Sequence, residues 1–148
     1  MSNIYKANHR ILRKKSISNS DTDFLIRYWN CVADNIIEWN ELLNRQITKK
    51  DLRENYIVTL AITINALGRL GNHFYENEDE KMEKALIDLR KINWLRSNTE
   101  WEYRVIRENG KVMSSESAIL LTCSKIKEYL DIPLSIDESN REKEINRG

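Results

Sequence analysis

Apolar residues recur along most of the chain at steps of three and four, which is the spacing of an amphipathic α-helix. The longest series begins after Asp23, and its members fall on one helical stripe: Leu25, Trp29, Val32, Ile36, Trp39 and Leu43. Asp21 or Asp23 is placed to cap the free amides at the start of this helix. The pattern therefore predicts a long helix from about residue 23.

A second helical series follows Thr48 and Asp51, which have the spacing of a weak capping box. Its predicted inward residues are Leu52, Tyr56, Leu60, Ile64 and Leu67. We expect this helix to end near Gly68 or Gly71, where backbones pack closely. Residues 57–64 are rich in β-branched side chains, so a strand is the alternative there, although the surrounding spacing favours a helix.

Three further helices are predicted. Residues 4–15 form a basic amphipathic helix, which the small polar residues 16–21 interrupt. Residues 76–92 carry acids in their first turns and bases near their end, as the helix dipole favours. The last helix, residues 118–130, is stopped by Pro133. The inward residues of these last two helices are Met82, Leu86 and Leu89, then Ile119, Cys123, Ile126 and Leu130.

One segment has a different pattern. Two short runs in residues 105–113 flank Asn109-Gly110, a pair that accepts the positive φ angles of a type I′ turn, so we expect a small β-hairpin. The predicted fold is mainly α, a single helical bundle-like domain of about five helices with one small β-hairpin. Its expected parts are a basic helical arm (1–20), a helical core (21–134) and a flexible charged tail (135–148).

Composition and charge narrow the function classes. The 148 residues include four glycines and one proline, and 32% are charged, which suits one helical domain. The net charge of +1 argues against non-specific nucleic-acid binding by bulk charge, but residues 1–20 hold five basic residues and no acidic one. No apolar run is long enough to cross a membrane and the start lacks a signal core, so we expect a cytoplasmic protein.

Few side chains have the spacing of known catalytic or metal sites. The two histidines, His9 and His73, have no second histidine three or four residues away, so we predict no metal, cofactor or catalytic residue. Cys31 and Cys123 are interpreted as reduced core cysteines, with a disulfide or a nucleophile as the alternatives. An enzyme, such as a metal-dependent nuclease or nucleotide hydrolase, would need clustered acids that the spacing does not demand.

The segment KINWLRSNTEWEYR (91–104) allows two interpretations. In the first it is a corner between helices, with buried tryptophans and a capping box from Ser97 to Glu100. In the second, Arg96, Asn98 and Arg104 project from that corner to hold a phosphate or a partner's carboxylate. The residues of this structural or partner motif are Trp94, Ser97, Asn98, Trp101 and Glu102.

Five blocks in this order resemble the C-terminal half of the DndB family, DNA sulfur modification proteins of phosphorothioate gene clusters. The blocks are YWNCVADNIIEW, LRENY, ALGRLG, KINWLRSNTEWEYR and GKVMSSESAILLTCSKIKEYLDIPL. The similarity runs from about residue 3 to 134, and the DGQHR motif of the longer family members is absent. Thr99 and Tyr103 stand where the family pattern has proline and glycine. We therefore expect a fragment, a split gene product or a standalone C-terminal module.

The resemblance implies DNA binding and transcriptional control of the modification genes, without catalysis by this half. The expected phosphate contacts are Lys6, Arg10, Arg13, Lys14, Lys15, Arg96, Arg104, Arg107 and Lys111. The alternative is a helical interaction module that docks onto a partner subunit or a DGQHR-type N-terminal domain, or that self-associates. Its interface would be an apolar stripe of Ile4, Ile11 and Leu12 on the first helix.

Overall fold

A computed structural model describes residues 3–78 and 81–147, and the side chains as far as Ile145. Within these residues it contains eight α-helices: α1 (Asn3–Leu12), α2 (Asn19–Asn35), α3 (Ile37–Leu43), α4 (Lys49–Asn55), α5 (Ala61–Glu76), α6 (Met82–Leu86), α7 (Glu116–Tyr129) and α8 (Ile136–Arg147). Two 3₁₀ turns span Ile87–Lys91 and Thr99–Trp101. The mainly α prediction is confirmed, but the number of helices is larger than the five expected.

Helix α5 lies at the centre, with α1 packed along one side and α7 along another. The α1 contact is very close, since a Cβ at Gly68 would lie 2.7 Å from the Ala7 carbonyl oxygen. Ala7, Ile11 and Leu12 are buried against it. Gly68 and Gly71 therefore lie inside α5 rather than at a helix end, because they make room for α1 and Tyr28. One side of α1 therefore belongs to the core, and the division into a basic arm (1–20), a core and a tail stays a prediction.

The predicted helix from residue 23 is two helices in the structure. Helix α2 starts earlier, because Ser18 and Asp21 form a reciprocal capping box in which Ser18 is the N-cap. Ile36 has an extended backbone and separates α2 from α3. The buried residues are Tyr28, Val32 and Ile36, whereas the predicted inward residue Leu43 is 77% exposed. Leu25, Trp29 and Trp39 are only partly buried.

The second predicted helix is also divided. The Thr48 cap is confirmed, since its hydroxyl accepts a hydrogen bond from the Asp51 amide at 3.1 Å. Residues 56–60 leave the helix, and the Ile57 amide donates to the Trp94 carbonyl at 2.9 Å. The β-branched pair Ile57-Val58 is fully buried in this connection. The segment is thus a turn over residues 57–60, closed by the Leu60 amide on the Ile57 carbonyl, and is helical from Ala61. The strand alternative for 57–64 is not confirmed, and the helix covers only the second part.

The predicted β-hairpin is not confirmed. Gly110 has the expected positive φ of 82°, and the Arg107 amide donates to the Lys111 carbonyl at 2.8 Å. Among the described residues, however, only isolated bridges form, one of them between Ile106 and Val112. The arm before the turn is held instead by Trp101, whose carbonyl accepts from the amides at 104–106. The turn is present and the strand ladder is not.

The remaining elements follow the apolar pattern more closely. Met82, Leu86 and Leu89 are buried, although the helix predicted for 76–92 is confined to α6 and a 3₁₀ turn, and its residues 79–80 lie outside the described residues. The predicted inward stripe of α7 is confirmed, since all four of its residues are buried. The tail expected to be flexible forms α8, which packs on α7 and buries Glu138 completely. Both cysteines are free thiols, with Cys123 buried and Cys31 partly buried.

Candidate nucleic-acid interface

The segment 91–104 forms a packed corner in the core. The rings of Trp94 and Trp101 stack with centroids 5.7 Å apart and an interplanar angle of 6°. Both are almost fully buried, and the Trp101 Nε1 donates to the Asn93 carbonyl at 2.8 Å. The polar atom of a buried indole is thereby satisfied, as stable burial of tryptophan requires. These contacts support the corner interpretation of the two tryptophans.

The cap at this corner is Asn98 rather than Ser97. The Asn98 side chain accepts from the Glu100 amide at 3.2 Å and donates to the Asn93 carbonyl at 2.9 Å. Ser97 and Glu102 are both exposed, and the Glu102 amide donates to the Thr99 carbonyl at 3.1 Å. The element that begins here is a 3₁₀ turn rather than an α-helix, and the Asn98 side chain caps it by bonding the amide two residues ahead. Asn98 is therefore occupied by the fold.

Arg96 and Arg104 also hydrogen-bond within the molecule. Arg96 donates to the carbonyls of Tyr56 (3.3 Å) and Arg53, and so caps the end of α4. Arg104 is 9% exposed, donates to the Leu121 carbonyl at 2.9 Å and forms a two-pronged ion pair with Glu142. Both arginines stabilise the fold, so neither presents a free guanidinium group to a phosphate.

Two of the predicted phosphate contacts in the first fifteen residues are partly engaged. Arg10 donates to both carboxylate oxygens of Glu116, at 2.9 and 2.5 Å, and to Asn65 at 3.0 Å. Lys14 lies 2.7 Å from Asp21, which is buried. The Lys14 ammonium, with the Tyr75 hydroxyl, holds the pKa of the Asp21 carboxyl well below its usual range. The Lys14 ammonium thus offsets the negative charge of the buried Asp21 carboxylate.

Five predicted contacts remain open. Lys6, Arg13 and Lys15 are exposed on or just after α1, and Arg107 and Lys111 are exposed at the turn around Gly110. Within the described residues, none of the five side chains has a hydrogen bond or ion pair. An exposed cation without an internal partner is free to neutralise a ligand phosphate.

The cations of α1 border an open groove of about 1070 Å³. Lys6, Arg10 and Arg13 follow each other at steps of four and three, so they lie on one side of α1 and its end. Arg69 and Asn72 of α5 form the opposite wall. The groove also includes Lys127, His9, His73, Glu76, Asn77, Glu116 and residues 133–135. Of its five lysines and arginines, Arg10 is paired with Glu116, and Arg69 and Lys127 are paired with Glu138. The cations left for an anion are therefore Lys6 and Arg13, on the α1 side of the groove.

Sequence reasoning missed Arg69, Lys127 and the acid between them. Glu138 accepts from Arg69 Nε and from Lys127 Nζ, both at 2.7 Å, and from the Ser135 amide at 2.9 Å. Burial opposes ionisation of Glu138, but the Lys127, Ser135 and Arg69 hydrogen bonds outweigh it and lower its pKa to about 2. The signal was present, because Ser135 and Glu138 have the capping-box spacing that starts α8.

Two kinds of feature are absent from the residues that the structure describes. No group of three or more histidine, cysteine, aspartate or glutamate side chains is arranged to hold a metal ion among residues 3–78 and 81–147. In the same residues, no helix has both the length and the apolar character needed to span a bilayer.

Comparison with known proteins places the chain in a family. The model of the DndB family, described as DNA-sulfur modification-associated, matches residues 1–133. The chain belongs to the DndB family. No curated protein and no solved structure matches it significantly. The family resemblance of the sequence is confirmed, and it connects this DndB-family chain with a DNA sulfur modification system. The match covers the groove residues up to Pro133, and α8 lies beyond it.

Proposed function

We propose that this chain is a DNA-associated regulatory or accessory module of a DNA sulfur modification system. In this proposal it contacts the phosphodiester backbone and catalyses no reaction itself. The contact surface, which we name the α1 face, consists of the exposed cations Lys6, Arg13 and Lys15, with Arg10 beside them in its pair with Glu116. The family membership supports the connection with DNA modification.

The observation that carries the proposal is the fixed position of α1. Asn72 donates to the Ile11 carbonyl at 2.8 Å, and Gly68 lets the backbone of α1 approach α5 closely. Lys6 and Arg10 are therefore presented from a packed helix, and Arg13 and Lys15 directly follow its end. A preorganised row of charges loses less conformational entropy when it binds a regular row of phosphates.

The chemistry of the α1 face predicts backbone contact without base reading. Each phosphate neutralised by a lysine or arginine releases condensed counterions, so the logarithm of the binding constant falls by about 0.9 per logarithm of salt concentration. The exposed polar side chains of the α1 face are lysines and arginines, which bind phosphate oxygens whatever the base sequence. We expect binding that depends on salt and little on DNA sequence.

The test is a salt series of duplex binding by fluorescence anisotropy. The variant Lys6→Gln/Arg13→Gln/Lys15→Gln removes three open cations of the α1 face. The control Lys49→Gln/Lys50→Gln/Lys84→Gln removes three exposed cations that do not line the groove, so the net charge changes equally. We expect the salt slope to fall by roughly 2–3 in the first variant and by less than about 1 in the control.

Two results would overturn the proposal. One is no measurable duplex binding by the unaltered chain at about 50 mM salt, where phosphate contacts are strongest. The other is an equal loss of slope in both triple variants, which would mean that bulk charge and not the α1 face attracts DNA.

The alternative, docking onto a partner protein or a DGQHR-type domain, stays a prediction, but the apolar stripe named for it is mostly buried. Of the predicted stripe, Ile11 and Leu12 are buried and only Ile4 is exposed, at 45%. One isoleucine does not make an apolar patch of the size that drives association. The backbone-contact proposal is therefore the one that has named, accessible residues.

A further inference from the structure

Helix α8 places two carboxylates on three cations of the helical core. Glu138 bonds to Arg69 of α5 and to Lys127 of α7, each at 2.7 Å. One turn further along α8, Glu142 forms a two-pronged pair with Arg104, whose Nη2 lies 3.0 Å from the carboxylate. Two acids at a spacing of four residues thus cover cations from three separate parts of the chain.

The attachment of α8 depends mainly on these charges. Ile136 is 80% exposed, and Glu138 is the one residue from 136 to 145 whose side chain is classed as buried. A helix that buries few apolar groups gains little hydrophobic stabilisation from docking. An external polyanion that offers equivalent oxygens can therefore compete with it for the same cations.

Two of the three covered cations lie in the groove beside the α1 face. Arg69 and Lys127 both line the groove that Lys6, Arg10 and Arg13 border, and Ser135, the cap of α8, lies at its rim. The third, Arg104, is covered by Glu142 one turn further along α8. The part of the chain that matches the family model ends at residue 133, just before this helix begins.

We propose that Arg69, Lys127 and Arg104 form a second phosphate-binding site, in which Glu138 and Glu142 of α8 occupy the positions of DNA phosphates. The inference rests on the proposed function, because the ligand is the same phosphodiester backbone. It adds that α8 is displaced when duplex DNA extends from the α1 face onto this site. The bound state then has up to three more phosphate contacts than the α1 face provides.

Hydrogen exchange on the unaltered chain tests the displacement. Backbone amides of residues 139–145 and of α7 are followed with and without saturating duplex DNA at low salt. We expect exchange in 139–145 to accelerate by at least about tenfold on DNA binding, while α7 keeps its protection. Unchanged or greater protection of α8 in the DNA-bound chain would overturn the second site.

A pair of charge-matched variants tests the competition. Glu138→Gln/Glu142→Gln removes the two covering charges, and Asp137→Asn/Glu144→Gln removes two exposed carboxylates of the same helix. We expect the first variant to bind duplex DNA at least about tenfold more tightly than the control at equal salt, because Glu138 and Glu142 no longer compete with phosphates for the three cations. Circular dichroism of α-helix content confirms that each variant is folded.

The outcomes separate the two proposals. If the unaltered chain binds DNA but α8 keeps its protection and both double variants behave alike, the second site is wrong and the α1 face stands. If DNA binds only after Glu138 and Glu142 are neutralised, the covered site is supported and the α1 face alone is too weak. If no form of the chain binds duplex DNA, both proposals fall.

Discussion

The tryptophan corner and the α1 face use the same kind of cation for opposite purposes. At the corner, Arg96 caps α4 through backbone carbonyls and Arg104 is buried against Glu142. On the α1 face, Lys6 and Arg13 are exposed and have no internal partner in the described part of the chain. The corner has the more conspicuous sequence, yet its polar groups are occupied. Availability for a ligand is decided by hydrogen-bond satisfaction, which residue type alone does not reveal.

The largest expected difference between the tryptophan corner and the α1 face is a loss of stability, which should follow from Trp101→Ala. Its indole is fully buried, stacks on Trp94 and donates to the Asn93 carbonyl, so removing it leaves a cavity and takes away one of that carbonyl's two donors. Urea unfolding should show a loss of about 3–5 kcal/mol. The control Val112→Ala, at a side chain 41% exposed, should stay within about 0.5 kcal/mol. A loss below about 1 kcal/mol for Trp101→Ala would contradict the corner.

A smaller loss of stability is expected from Arg104→Ala, and Arg107, three residues further on, provides its control. Arg104→Ala leaves Glu142 and the Leu121 carbonyl without their donor, and should lower the free energy of unfolding by about 2–3 kcal/mol. Arg107→Ala removes the same charge from an exposed position and should cost less than about 0.5 kcal/mol. Equal effects in urea unfolding would show that the Arg104 pair contributes no stability.

Gly68→Ala tests whether α1 is fixed on α5. The added Cβ would lie 2.7 Å from the Ala7 carbonyl oxygen and 2.8 Å from its Cα, so α1 must shift. We expect a loss of about 1–3 kcal/mol and weaker duplex binding. Gly110→Ala, at φ 82° with open space around the Cβ, should cost about 1 kcal/mol and leave binding unchanged. Normal DNA affinity in Gly68→Ala would contradict a role for the position of α1.

The smallest expected effect is a pH dependence of the free energy of unfolding, which arises from the buried Glu138 carboxylate of α8. The folded pKa of Glu138, about 2, lies below the ordinary 4.5, so its stabilising contribution is complete above pH 4.5 and is lost as the pH falls toward 2. Urea midpoints of the unaltered chain and of Glu138→Gln should therefore converge below about pH 4.5. Asp137→Asn, at an exposed carboxylate, is the control. A constant gap between the two midpoints down to pH 3 would show that Glu138 is not held ionised.

The spacing of apolar residues predicted correctly those helices whose buried side is continuous. It failed where contacts between distant residues decide which side chain is buried or where a helix ends. The α7 stripe was correct because Ile119, Cys123 and Ile126 face one continuous core. The series from residue 23 predicted one helix, whereas Ile36 breaks it and Tyr28 takes the buried position. A polar Tyr28 is tolerated there because its hydroxyl donates to the Leu67 carbonyl, a contact between residues far apart in sequence.

The α1 face was only partly predictable for the same reason. The cluster of basic residues near the start of the sequence predicted Lys6, Arg10 and Arg13 as phosphate contacts. A single sequence could not show that Arg69 lines the same groove. Nor could it show that Arg104 is paired with Glu142, because their proximity depends on how α8 docks. Helix α8 itself could have been predicted from the capping-box spacing of Ser135 and Glu138.

One pair of single-charge variants tests the central distinction most directly: Arg13→Gln on the α1 face and Arg96→Gln at the corner. Duplex affinity across a salt series and urea stability are measured for both. Arg13→Gln should lower the salt slope by about 1 and leave stability within about 0.5 kcal/mol. Arg96→Gln should keep the slope and lose about 1–3 kcal/mol of stability, because two carbonyls lose their donor. Equal losses of slope, or a normal slope in Arg13→Gln, would contradict the account.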